Sequence, residues 1–135
     1  MISIESTIGA ERSAFTLDEV CQVVSQSGDS TETLSNLVQF LRGRFKTDVC
    51  SVYLLEPDRT RLVLAATCGL RPESVGRVRM QLNEGLVGMV AEQLCPQTVD
   101  DAFHHPRFKY FREAGEDPYR SFLGVPLIDH GRLQG

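Results

Sequence analysis

The side chains best equipped for chemistry fall in one short stretch. Asp100, Asp101, His104 and His105 bring two carboxylates and two imidazoles close together along the chain. Such a set can hold a divalent metal or relay a proton. No second cluster of histidines or cysteines completes a ligand set, and the remaining histidine, His130, stands in the turn-forming string Asp129-His130-Gly131-Arg132. The competing reading is structural: Asp101 caps a short helix that His105-Pro106 opens, and the imidazoles face water. Ser51 and Ser121 lie in β-rich segments without the strand-turn-helix elbow of a serine nucleophile. Gly85-x-x-Gly88 is too short to wrap a phosphate. Cys21, Cys50, Cys68 and Cys95 stand singly, with no C-x-x-C pair. They read as free, reduced thiols, with Cys21 and Cys50 serving as small apolar groups among apolar neighbours. No catalytic residue, metal site or cofactor is expected.

Binding is better supported than catalysis. The segment from Asp100 to Tyr110 mixes acids, histidines, aromatic rings and Lys109. Lys109 can meet a carboxylate and Asp101 an amine, a combination that suits an amino-acid zwitterion. His105, Phe108 and Tyr110 stand beside them, and Phe122 lies on the next apolar strand. These six residues are the candidate ligand contacts. The competing reading makes Phe103, Phe108 and Phe111 ordinary core and leaves the charges solvated.

The elements that would position such a pocket follow from the hydrophobic pattern. Residues 1–14 are polar and weakly patterned and read as a loose lead-in. Thr16 and Glu19 have the spacing of a capping box, and Leu17, Val20, Cys21 and Val24 follow at helical intervals. Ser27-Gly28-Asp29 ends that helix. Ser30 is placed to cap a second one, whose stripe is Leu34, Leu37, Val38, Leu41 and Phe45. The period then changes. Val49 to Leu55 is dense in β-formers, Glu56-Pro57-Asp58-Arg59 is a turn, and Arg61 to Thr67 supplies a second strand of the hairpin. Val78, Met80 and Leu82 alternate with polar residues as on a half-wet strand. Asn83 is placed to cap a helix over residues 84–93, whose Gly85 and Gly88 imply close backbone packing or an exposed helix start. A short strand over 97–99, a short aromatic helix over 107–112 and an apolar strand over 121–129 follow. Pro126 demands an edge or a bulge in that last strand.

This order predicts an α+β domain, an antiparallel sheet with helices packed on its faces. Leu133 begins what should be a further strand, so the domain over 15–135 reads as incomplete at its C-terminal end. The 121–129 strand would then need cover from the N-terminal segment, from another chain or from a swapped element.

Composition narrows the partners. Fourteen Lys+Arg against eighteen Asp+Glu give a net charge of −4. That balance offers no general attraction for nucleic acid or an anionic membrane. The start of the chain lacks a basic head followed by an apolar run, and no apolar stretch is long enough to cross a bilayer. A cytoplasmic location is expected.

Four strings in order resemble one family. They are Thr47-Asp48-Val49-Cys50-Ser51-Val52-Tyr53-Leu54, Asn83-Glu84-Gly85-Leu86-Val87-Gly88, His105-Pro106-Arg107-Phe108-Lys109-Tyr110 and Phe122-Leu123-Gly124-Val125-Pro126-Leu127. Together with the element order they resemble the N-terminal GAF domain of nitrogen-type phosphoenolpyruvate-protein phosphotransferases, the enzymes I of the nitrogen phosphotransferase system. The resemblance implies a non-catalytic regulatory domain. It would bind a small nitrogen-status metabolite, glutamine first among them, and modulate autophosphorylation by downstream phosphotransferase domains, where that family's phosphorylated histidine lies. The alternative is a ligand-free dimerisation or scaffolding module that associates as a homodimer through its N-terminal helices. Related domains also hold bilins or haem. Cys50, Cys68 and His105 keep such a group open, and no attachment motif accompanies them.

Overall fold

The computed structural model describes residues 2–6, 17–115 and 119–135. Among these, six strands form one antiparallel sheet in the order β4-β3-β2-β1-β6-β5. The strands are β1 (Ile2–Ser6), β2 (Val49–Leu55), β3 (Arg61–Cys68), β4 (Arg79–Gln81), β5 (Gln97–Val99) and β6 (Ser121–Val125). A small hairpin of β7 (Ile128–Asp129) and β8 (Arg132–Leu133) extends from β6. The helices are α1 (Leu17–Ser25), α2 (Ser30–Phe45) and α3 (Gly85–Gln93). Two one-turn 3₁₀ segments occupy Pro72–Ser74 and Arg112–Ala114.

The pleat of β2 sorts the core into two layers. Val49 and Tyr53 face a cluster with Leu62, Leu64, Met80, Leu86, Val90 and Phe122. Cys50 and Val52 point the other way, into a cluster with Val38 and Leu41 of α2. The partner strand β3 needs an irregularity to serve both. Tyr53 pairs with Leu64 but Val52 pairs with Ala66, so Ala65 is the extra residue of a bulge. Because side chains alternate strictly, that one residue puts Leu62 and Leu64 on the α3 side and Ala66 on the α2 side.

α2 begins as its stripe requires, with Val38 and Leu41 buried. Its cap is Asp29, one residue before the expected Ser30. The Asp29 carboxylate accepts from Glu32 N at 2.8 Å, and the Glu32 carboxylate accepts in turn from Gly28 N. An ionised acceptor at the positive end of the helix outcompetes a hydroxyl. α3 departs similarly: its N-cap is Glu84 rather than Asn83, without a side-chain cap bond. The Asn83 carbonyl is instead taken by Arg107. α1 lies over residues 17–25 as its period predicts. Thr16 of the expected capping box lies outside the described residues. Cys21 is exposed rather than buried, and α1 packs mainly on α2.

Three other expectations are corrected. Residues 107–112 do not form a helix. The chain from Asp101 runs through successive turns, with His105 N bonded to Ala102 O and Phe108 N to His105 O. Burial of Ala102 together with inward Phe108 and Phe111 needs an irregular path. The strand over 78–82 shrinks to Arg79–Gln81. The strand over 121–129 is broken at Pro126-Leu127, where the missing proline N–H ends the ladder.

The main difference lies at the N-terminus. Of the expected lead-in, residues 2–6 form a strand at the centre of the sheet, with Ile2–Glu5 paired to β2 and Ile2–Ser6 to β6. The N-terminal segment thus covers the edge of β6. Gln134 reaches the same row from the other direction, donating to Leu127 O and accepting from Leu55 N, each at 2.8 Å. In a strand paired on both sides every N–H is engaged. Ile4→Pro therefore removes a ladder bond with no water to replace it, and should cost about 1–3 kcal/mol. Urea denaturation measures this; an unchanged midpoint would show that β1 contributes nothing to the sheet.

Candidate ligand-binding site

On the α3 side of the sheet a cavity opens between three elements. Tyr53 of β2, Met80 of β4 and Ser121 and Phe122 of β6 form its floor, and Gly85, Leu86 and Val87 of the first turn of α3 form one wall. The opposite wall is the irregular segment that carries Ala102, Phe108, Lys109 and Phe111, with Tyr119 beyond it. The space open to the centre of a water molecule is about 40 Å³, enough for about three waters. Most of the lining residues are apolar; Tyr53, Lys109, Tyr119 and Ser121 are the ones that carry a polar group.

Two glycines set the backbone around the cavity. Gly85 holds a positive φ of 68° where the chain enters α3. A Cβ on Gly124 would stand 2.6 Å from Val90 Cγ2 and 2.7 Å from the ring of Phe122, so only glycine lets β6 lie this close to α3.

The irregular segment is fastened to α3 by charge. Lys109 Nζ pairs with Glu84 Oε1 and lies 5.1 Å from the centre of the Phe111 ring. The other carboxylate oxygen of Glu84 accepts from Gln81 N at 2.9 Å, which anchors the pair to the sheet. Arg107 donates to Asn83 O at 2.7 Å and to Glu92 at 3.1 Å. These contacts hold the mouth of the cavity in its present shape.

Of the six candidate contacts, Phe108, Lys109 and Phe122 converge on the cavity. Asp101, His105 and Tyr110 do not line it. Asp101 is turned outward, 2.9 Å from Nδ1 of His104, and that bond holds its carboxyl below the usual range. His105 is half-buried, and its Nδ1 accepts from Arg107 N within the turn. Tyr110 is 54% exposed. Sequence reasoning missed Tyr53, Met80 and the first turn of α3. Tyr53 carried a readable signal, an aromatic ring with a hydroxyl on a strand of mostly apolar residues. Nothing local marks Met80, whose approach depends on how β4 pairs with β3. Among the described residues no three His, Cys, Asp or Glu side chains cluster to hold a metal ion, and no helix is long and apolar enough to cross a membrane.

A model of the GAF domain family matches residues 27–135. The chain belongs to the GAF domain family. The structure of the GAF domain from a phosphoenolpyruvate-protein phosphotransferase of Coxiella burnetii superposes with a TM-score of 0.80 at 35% identity, covering 87% of this chain and 70% of that one. The phosphoenolpyruvate-dependent phosphotransferase system protein of Escherichia coli K12 is 38% identical over 117 residues, 87% of this chain. This GAF domain spans 16% of the length of that relative. Free methionine-R-sulfoxide reductase from Neisseria meningitidis, solved in complex with its substrate, matches with a TM-score of 0.69 at 26% identity, over 87% of this chain and 66% of that one.

The close contact at Gly124 is testable. Gly124→Ala forces a methyl against the fully buried Val90 and should destabilise the domain by about 1–3 kcal/mol. Thermal unfolding checks this; a loss near zero would mean that β6 and α3 separate freely at this point.

Proposed function

We propose that this GAF domain is a regulatory sensor whose cavity takes a small nitrogen-status metabolite, with glutamine the leading ligand. In this reading it belongs to a cytoplasmic phosphoenolpyruvate-protein phosphotransferase, and ligand binding modulates autophosphorylation by the phosphotransferase domains of that longer chain. The observation that carries the ligand reading is the cavity itself: a mostly apolar chamber lined in part by Lys109 and the first turn of α3. The first N–H groups of a helix have no partner within the helix and favour negative charge. A carboxylate placed there would meet those groups and the Lys109 ammonium. The reductase relative solved with its substrate lends support, since its fold accommodates a small molecule.

The present cavity is smaller than glutamine, so the segment over 101–111 must move outward to admit it. That motion breaks the Lys109–Glu84 pair and frees Lys109 for the incoming carboxylate. Ligand affinity then selects one arrangement of this segment over another, and the difference is the regulatory signal.

A dimerisation scaffold is the second reading. The small cavity favours it, as does α1, which leaves Cys21 and Val24 exposed.

Calorimetric titration separates the two. Glutamine should bind, and Lys109→Met should weaken binding by about 10- to 100-fold, the worth of a charge-assisted hydrogen bond. Glu84→Gln should tighten it by removing the internal competitor. Absence of heat with glutamine, 2-oxoglutarate and other nitrogen metabolites, together with a dimeric mass in solution, would favour the scaffold.

A further inference from the structure

Two of the four cysteines are brought together by the sheet register. Cys50 on β2 is the direct cross-strand partner of Cys68 on β3. Residues opposite one another in an antiparallel pair point to the same face, with Cα atoms about 4.5 or 5.5 Å apart. Both spacings lie within the range of about 4.4–6.8 Å that a disulfide spans. Both side chains belong to the cluster under α2. The bulge at Ala65 is what makes them neighbours, because without the extra residue Cys68 would point to the other face. The pair sits at the end of the hairpin where Gly69, at a φ of 114°, turns the chain away close to the backbone of Asp48 and Val49.

The two thiols are differently placed. Cys50 is completely buried, whereas Cys68 is half-buried at the rim of the cluster. Nη1 of Arg42 on α2 lies 3.6 Å from Cys68 Sγ. Nε of the same guanidinium donates to Asp48 O at 2.9 Å, so α2 is tied to the ends of both strands by one side chain. Cys21 and Cys95, by contrast, are exposed and stand apart from this pair.

We propose that Cys50 and Cys68 are a modification site, a thiol pair that a small hydroperoxide converts to a cross-strand disulfide. Cys68, the reachable member, is the attacking thiol. Its sulfur takes the terminal oxygen of the hydroperoxide, the O–O bond breaks, and the leaving alkoxide or hydroxide collects the thiol proton. The product is a sulfenic acid on Cys68. The buried Cys50 sulfur then attacks that sulfur, the S–O bond breaks, and hydroxide leaves with the Cys50 proton as water. Two thiols lose two electrons, and the hydroperoxide is reduced to an alcohol or water plus one further water. Arg42 stands beside the sulfur at which negative charge develops. Disulfide closure turns Cys68 Sγ inward and takes it from Arg42, so oxidation loosens the fastening of α2 to the sheet.

The test is peroxide titration of the folded protein, followed by non-reducing digestion and mass spectrometry. The proposal expects a monomer lighter by two hydrogens, a cross-linked peptide joining Cys50 to Cys68, and the same product in a Cys21→Ser/Cys95→Ser variant. Cys50→Ala should leave a sulfenic acid on Cys68 that dimedone traps, and Cys68→Ser should abolish the cross-link while preserving the circular dichroism of the fold. Oxidation confined to Cys21 and Cys95 would overturn the proposal. So would conversion of Cys68 to the sulfinic acid while Cys50 remains a thiol.

Discussion

β2 is covered on both of its faces, and that constraint organises the domain. From Val49 to Tyr53 every residue is buried, so the strand's two sets of side chains must meet two separate apolar layers. Helix α2 supplies one and α3, with the segment after it, supplies the other. A strand covered above and below also needs partners at both edges, since an unpaired buried N–H or C=O is costly. β3 satisfies one edge and residues 2–6 the other. Through β1 the sheet continues to β6 and β5, and β6 contributes Ser121 and Phe122 to the floor of the cavity. The pocket therefore rests on strands whose places are set by the need to enclose β2.

The two faces of the sheet have different work. On the α2 side the packing is aliphatic and aromatic, with Cys50 buried within it and Cys68 at its rim. On the α3 side the wall is partly an irregular segment held by Lys109–Glu84 and Arg107–Glu92, in which the Lys109, Arg107 and Glu92 side chains are partly exposed. Exposed ion pairs are each worth at most about 1 kcal/mol. They can hold a segment in place without making it expensive to open. A pocket wall fastened in this manner suits reversible binding better than a wall of buried apolar contacts would.

The resemblance to the GAF domains of phosphoenolpyruvate-protein phosphotransferases runs through both faces. One of the matching strings forms β2 and the strand's polar entry, another opens α3, a third makes the irregular wall, and the last is β6 with the break at Pro126-Leu127. Each of the four contributes lining residues to the cavity: Tyr53, Gly85 to Val87, Phe108 with Lys109, and Phe122.

The helices and long strands were legible in the sequence because each carries its own period over many residues. α2 and the β2–β3 hairpin are examples, and so is the antiparallel α+β class that follows from them. Phe108, Lys109 and Phe122 were also legible as pocket residues, since aromatic and charged side chains on an apolar background stand out locally. Other features depended on partners far away along the chain. The five residues of β1 alternate too briefly to announce a strand, and they become one because β2 and β6 present two open ladders to fill. The segment over 107–112 has helix-compatible residues, yet the need to turn Phe108 and Phe111 inward overrides that preference. Asp101 pairs with His104 beside it rather than entering the cavity, a choice made by the turn. The Ala65 bulge has no sequence signature, yet it decides which face each later residue of β3 takes. Local periodicity is written in neighbouring residues. Register, burial and the meeting of Cys50 with Cys68 are settled only when strands from distant parts of the chain compete for the same hydrogen bonds and the same apolar space.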